Sequence, residues 1–157
     1  MILDERNEFA DAVSVAAAAG TALIGDVIDL GSASRDIGAG QPLYLIIQTD
    51  TEIITGGVAG TIKFQLASDS TADLATSATI HFDTGTLVTD DAAANDARLN
   101  AGGLIASVAL PQGAVYERYL GILCVIATTT VTAGKINAFL SVDPYPANRA
   151  YPDAMPV

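Results

Sequence analysis

Apolar residues recur at every second position in several segments of this 157-residue chain. Around Lys63, for example, Ile62, Phe64 and Leu66 fall on one face and polar residues on the other. This period is typical of half-buried β-strands, because successive side chains of a strand point to opposite faces. The alternation predicts strands at residues 61–67, 79–83 and 135–142.

Two further segments, residues 43–47 and 119–127, are apolar on both faces and predict central strands. Shorter candidates raise the predicted total to about eight strands, and they lie at residues 12–16, 26–30 and 104–110. We therefore predict an all-β fold, a jelly-roll-like sandwich of two sheets. An immunoglobulin-like strand order stays open, because the pattern alone does not order the strands.

Short helical turns are predicted only between the strands. Residues 69–75 and 90–99 each begin with Asp beside Ser or Thr, which is a favourable N-cap, and continue into Ala-rich sequence. The alanine run at residues 16–19 favours helix by propensity but is too short to nucleate one alone.

The two ends of the chain differ in composition from the middle. Four of the six prolines lie within residues 143–157, and proline fixes φ and removes a backbone donor, so this stretch should run extended. We divide the chain into an N-terminal arm (1–11), a sandwich domain (12–142) and a Pro-rich C-terminal arm (143–157). Partner contacts are expected from aromatic and basic residues of the arms, namely Arg6, Phe9, Tyr145, Arg149 and Tyr151. The alternative is an arm that packs along its own domain.

The charge balance argues against several classes of partner. Seven basic and eighteen acidic residues give a net charge of −11, and the cations are scattered along the chain. Because a nucleic-acid binder needs clustered Lys and Arg, we expect neither nucleic-acid nor membrane binding. The start lacks the pattern of a signal peptide, and no continuous apolar span of about 20 residues is present.

Catalytic constellations are difficult to assemble from this sequence. The single histidine, His81, is predicted on the polar face of its strand together with Asp83, where both would be solvated. Cys124 is the only cysteine; it excludes an intramolecular disulfide and is expected to be a small buried hydrophobe. One His and one Cys do not form a tetrahedral zinc shell, and the acidic loops at 69–73 and 89–91 lack EF-hand spacing. We expect no enzymatic activity, no cofactor and no metal.

A carbohydrate- or receptor-binding module is the main alternative, because jelly rolls include lectins. Such sites commonly use exposed aromatic platforms. The chain has no Trp and five Tyr, of which Tyr116 is the clear candidate in a loop.

Several short motifs at consistent spacing resemble the capsid cement proteins of tailed phages, typified by that of a Bordetella phage. The resemblance extends over nearly the whole chain. The matching segments are residues 29–31, 35–43, 66–69, 116–121, 132–135, 138–140 and 149–154.

This resemblance implies a jelly-roll homodimer on the outer capsid surface of the virion, made in the cytoplasm of a bacterial host. The implied partner is the major capsid protein, at its two-fold and quasi-two-fold contacts. The implied function is structural, to cement these contacts against internal DNA pressure. Arg118, within the motif at 116–121, is expected to pair with an acidic group inside the domain.

Overall fold

A computed structural model describes residues 5–31, 37, 40–74, 76–91 and 93–143. Most of the predicted C-terminal arm, including Tyr145, Arg149 and Tyr151, lies outside these residues. The described strands are β1 (Glu8–Ser14), β2 (Gly20–Asp29), β3 (Tyr44–Ile54), β4 (Gly60–Asp69), β5 (Thr79–Asp83), β6 (Leu87–Thr89), β7 (Leu104–Ala109), β8 (Tyr119–Ala127) and β9 (Ala133–Ser141). Two 3-10 helices, Glu5–Asn7 and Ala97–Leu99, complete the elements. None of the described helices has the length and apolar character needed to cross a membrane.

The strands form two antiparallel sheets with the order of a jelly roll. One sheet runs β1-β9-β3-β7 and the other β2-β8-β4-β5, with β6 also paired to β4. The pairs β1–β9, β2–β8, β3–β7 and β4–β5 are concentric in sequence, as when one long antiparallel ribbon is wrapped into two layers. The immunoglobulin order is excluded, because β1 and β2 lie in different sheets.

Nine strands are described where about eight were predicted, and the additional one is β6. β5 and β6 lie on the same edge of one sheet. Both pair with β4, β5 along Gln65–Ser68 and β6 along Gly60–Ile62. Between them, Thr84 accepts a hydrogen bond from the Phe64 amide through Oγ1 at 3.0 Å. A strand of three residues has too few alternations to be recognised, so β6 was not predicted.

Some predicted boundaries shift. β1 begins at Glu8 rather than at residue 12, inside the segment assigned to the N-terminal arm. Alternation is obscured there because Ala12 has a φ of 49° and the pairing with β9 shifts register. β2 begins at Gly20 rather than at residue 26. The alanine run is not helical, and Ala17 forms a bridge with Val131.

The helical turns are also shorter than predicted. Within residues 90–99, the described helix is confined to Ala97–Leu99, where the Asp96 side chain accepts a hydrogen bond from the Arg98 amide. The described residues of 69–75 form turns, in which Asp69 accepts from the Thr71 amide at 3.2 Å. Short polar side chains therefore cap a single 3-10 turn in one segment and a loop turn in the other, not longer helices.

The core lies between the two sheets and is apolar. Inward-facing residues of β3, β4, β8 and β9 alternate with outward-facing ones, and the inward set includes Leu45, Ile47, Ile62, Phe64, Leu66, Ile122, Cys124, Ile136 and Ala138. Burying each large apolar side chain stabilises the fold by about 1.5–3 kcal/mol. The interior of the sandwich is thus filled by side chains of the domain itself.

At Gly25 the backbone of β2 lies against the backbone of β1 from the other sheet. Gly25 has a φ of +67°, and a Cβ placed there would lie 1.9 Å from the carbonyl oxygen of Phe9. Only glycine satisfies both conditions, since it tolerates positive φ and leaves room for the neighbouring backbone.

We predict that Gly25→Ala lowers the free energy of unfolding by about 3 kcal/mol, from left-handed strain plus the clash with the backbone. Gly113→Ala is the matched control, because Gly113 has a φ of +73° but no atom near its Cβ position; strain alone predicts about 1 kcal/mol. Urea unfolding measures both. Equal losses for the two variants would contradict the close approach.

Candidate interaction surface

The structure places the predicted contact residues in different environments. Arg6 is exposed in the 3-10 helix Glu5–Asn7. Phe9 is 1% exposed and belongs to the core, so its expected contact with a partner is replaced by a role in packing. The register shifts of β1 turn Phe9 inward. Among the described residues, Arg6 is the predicted contact that lies at the surface.

A cavity of about 460 Å³ lies along the line where β1 meets β2, and acidic side chains surround it. Its lining includes Glu5, Glu8, Asp11 and Asp26, which we call the acidic seam. Burial, and then repulsion from Asp11 and Glu5, raises the pKa of Glu8. The described residues contain no group of three or more His, Cys, Asp or Glu placed to hold a metal. The four carboxylates make the acidic seam a negatively charged surface.

Sequence reasoning missed the acidic seam because its carboxylates come from the first 3-10 helix and from two strands in different sheets. Glu5, Glu8 and Asp11 recur at intervals of three near the start of the chain, which was the available signal. Their meeting with Asp26 depends on β1 and β2 sharing one side of the sandwich, which the strand order decides.

Arg118 forms a two-point ion pair with Asp29, the last residue of β2. Its Nε and Nη2 donate to the two carboxylate oxygens of Asp29 at 3.0 and 2.9 Å, and its guanidinium lies 4.9 Å from the ring centre of Tyr119. The hydrogen bond from Arg118 lowers the pKa of Asp29. The expectation that Arg118 pairs with an acidic group inside the domain is confirmed, and the pair joins the end of β2 to the start of β8.

His81 occupies a β-bulge, which corrects its predicted position. Phe82 pairs with Leu66 and Ile80 with Ala67, so that His81 is the extra residue between two successive pairs. The bulge breaks the alternation: Ile80, expected to be buried, is 43% exposed. His81 is half-buried and separated from Asp83, which instead accepts from Lys63 and Gln65.

His81 belongs to a small polar cluster at the end of the sandwich. Its Nε2 lies 2.7 Å from Ser68 Oγ, and its ring centre is 4.4 Å from that of Tyr116. Ser68 Oγ also accepts from the Glu117 amide at 3.0 Å. A serine beside a histidine is the start of a nucleophilic arrangement, but Ser68 is 0% exposed. In this geometry the hydroxyl links β4 to β5 and to the chain entering β8.

The cluster predicts a pH dependence of stability. Burial lowers the pKa of His81 below its ordinary 6.5, with Glu117 partly opposing the shift. The unfolded chain therefore takes up the proton at higher pH than the folded one, so stability is greatest above pH 6.5 and falls as the pH drops below it. We expect the free energy of unfolding to decrease between about pH 7.5 and about pH 5.5.

His81→Gln keeps a neutral polar side chain beside Ser68 and should flatten this dependence, as measured by urea unfolding at both pH values. The paired carboxyls Asp29, Asp83 and Asp96 have pKa values lowered from 3.8, so they do not titrate in this range. A variant that retained the wild-type slope would contradict the assignment to His81.

Two further sequence expectations concern Tyr116 and Cys124. Tyr116, the candidate aromatic platform, is 0% exposed, and its hydroxyl donates to the Pro111 carbonyl at 2.9 Å; it is a core residue, so that expectation was wrong. Cys124 is buried as predicted, and burial raises the pKa of its thiol to about 12.

Residues 9–140 match the model of the Bbp16 family, a family of Bordetella phage proteins. The chain belongs to the Bbp16 family. The match runs from β1 to β9 and covers well over half of the chain, so it includes both sheets of the sandwich. No curated protein matches the sequence. The predicted relation to phage proteins is confirmed at this level.

Proposed function

We propose that this Bbp16-family protein is a structural component of the virion that binds the outer capsid surface and cements contacts between major capsid protein subunits. The supporting observation is the family match across an entire jelly roll whose interior is filled by its own side chains. Because the interior of the sandwich is filled, we expect the function to depend on its surface. The resemblance of the sequence to capsid cement proteins supplies the expected partner.

Cementing requires additional contact area across the boundary between two capsid subunits. Packaged DNA pushes outward on the shell. A rigid domain bound over a subunit boundary adds buried surface that must be separated before the boundary opens. A stable interface of this kind buries on the order of 1,200–2,000 Å². A two-fold dimer presents the same patch on both sides of a local two-fold axis, which fits this position.

The charges of the domain favour a protein partner over DNA. Three of the cations, Lys63, Arg98 and Arg118, are engaged by carboxylates at 2.8–2.9 Å. With a net charge of −11, the chain as a whole repels a phosphate backbone. The acidic seam instead suits basic side chains of a protein surface.

Co-sedimentation of the full chain with purified capsids of its phage tests the proposal. We expect saturable binding that persists after nuclease treatment, with no co-sedimentation with naked DNA. Absence of binding to capsids at micromolar concentrations would overturn the proposal. Binding to a glycan array under the same conditions would support a carbohydrate-binding module instead.

Removing residues 143–157 should weaken capsid binding at least tenfold, a loss of about 1.4 kcal/mol of binding free energy, because the predicted anchors Tyr145, Arg149 and Tyr151 are deleted with it. The thermal unfolding midpoint should change little, since the last strand among the described residues ends at Ser141. A Gly/Ser-rich segment of equal length is the matched control and should not restore binding. Full occupancy of either variant on capsids would contradict the proposed role of residues 143–157 in capsid binding.

A further inference from the structure

The outer edge of β2 has no neighbouring strand along its first half. The backbone of Gly20 to Ile24 pairs with β8 on one side, and no strand among the described residues pairs with it on the other. We call Gly20–Ile24 the open edge. Residues 12–25 contain no charged side chain and no proline, although natural edges commonly carry such residues to prevent pairing. The backbone of the open edge is therefore suited to one more strand.

An apolar crevice of about 240 Å³ lies beside the open edge. Side chains of β2, of β8 and of the chain between β1 and β2 line it, among them Val15, Ala22, Ile24, Cys124 and Ile126. Because successive side chains of a strand point to opposite faces, a strand added at the open edge would direct every second side chain to the face on which the crevice lies. Apolar side chains at those positions would be buried there in addition to the backbone pairing.

The acidic seam follows directly after the apolar crevice on the same side of the sandwich. Val15 lines the crevice and Val13 lines the cavity of the acidic seam; on β2, Ile24 lines the crevice and Asp26 the acidic seam. Between them, at Gly25, the backbone of β1 lies against β2, so an added strand cannot pair beyond this point. A segment that pairs with the open edge and extends past Gly25 therefore meets the carboxylates of the acidic seam.

We propose that the open edge, the apolar crevice and the acidic seam together bind an extended segment of a partner protein. The segment has one or two Lys or Arg residues followed by an uncharged stretch as long as the open edge, with apolar side chains at alternate positions. The basic residues come first because every described strand pair is antiparallel, and β2 runs from the open edge toward the acidic seam.

Charge complementarity selects this occupant. Carboxylates at the end of an uncharged edge favour a segment whose positive charge lies at one end. The open edge of a second copy brings no cation, since residues 12–25 are uncharged and Asp26 follows them, so it would leave the acidic seam without counter-charges. The inference rests on the proposed function only in assigning the segment to a shell protein; the binding of a free peptide does not depend on it.

Fluorescence anisotropy of labelled synthetic peptides, capped at both ends, tests the proposal on the full chain. The peptide Lys-Lys-Thr-Val-Thr-Val-Thr should bind saturably. The reversed peptide Thr-Val-Thr-Val-Thr-Lys-Lys is the matched control and should bind about tenfold more weakly, because its lysines lie away from the acidic seam. Proline at the central position removes a backbone donor and should abolish binding. No saturable binding of the first peptide at millimolar concentration would overturn the proposal, as would equal affinities for the two orders.

Variants of the chain test the two parts of the site. Ala22→Asp places a charge at an exposed position that lines the crevice, and it should weaken peptide binding about tenfold because the charge loses water on pairing. Asp26→Asn should weaken binding of the lysine peptide about threefold and leave a Gln-Gln version of the peptide unaffected. Asp50→Asn, at an exposed position in β3, is the matched control. Equal losses for the two Asn variants would contradict the role of the acidic seam.

The same assay distinguishes other occupants of the open edge. Competition by a synthetic peptide of residues 143–157 would assign the open edge to the end of this chain, and a peptide affinity that falls as the protein concentration rises would assign it to a second copy. Either result would overturn the proposal. Peptide binding by a protein that does not bind capsids would keep the site and remove the cement function, whereas capsid binding without peptide binding would keep the cement function and remove the site.

Discussion

The pairing of β4 with β8 is the part of the structure on which the rest depends. Nine successive pairs, from Thr61–Ala127 to Asp69–Tyr119, form without a register shift. Phe64 and Leu66 face the core opposite Cys124 and Ile122 along this ladder. Because both strands are central, β2 on one side and β5 with β6 on the other take their positions from them. The second sheet, in which the strand pairings are more irregular, packs against this pair of strands.

Along β2, the character of the surface changes at Gly25. Before it, β2 is uncharged, and no described strand pairs with its outer edge. After it, β2 lies against β1 and carries Asp26 and Asp29. The two halves are suited to different contacts, since an uncharged edge favours backbone pairing and a carboxylate-lined surface favours basic side chains. Adjacent parts of one strand therefore present surfaces of different chemistry.

Alternation in the sequence predicted β4, and a segment apolar on both faces predicted β8, the two strands that pair with each other without a register shift. Together these patterns predicted the two-sheet class. Alternation failed where an extra residue enters a strand. Ala12, with its positive φ, hid the start of β1, and the bulge at His81 exposed Ile80 and turned the histidine inward. The acidic seam and the outer edge of β2 at Gly20–Ile24 could not be predicted for another reason. Both depend on which strands become neighbours or edges, and strand order is a long-range property that a local period does not contain.

The central claim is that the protein strengthens a shell by covering the joints between its subunits. The direct measurement is the temperature at which DNA-filled capsids release their DNA, compared between capsids lacking the protein and the same capsids after it is added back. The account predicts a higher release temperature that rises with occupancy and then saturates. An unchanged release temperature at full occupancy would contradict it.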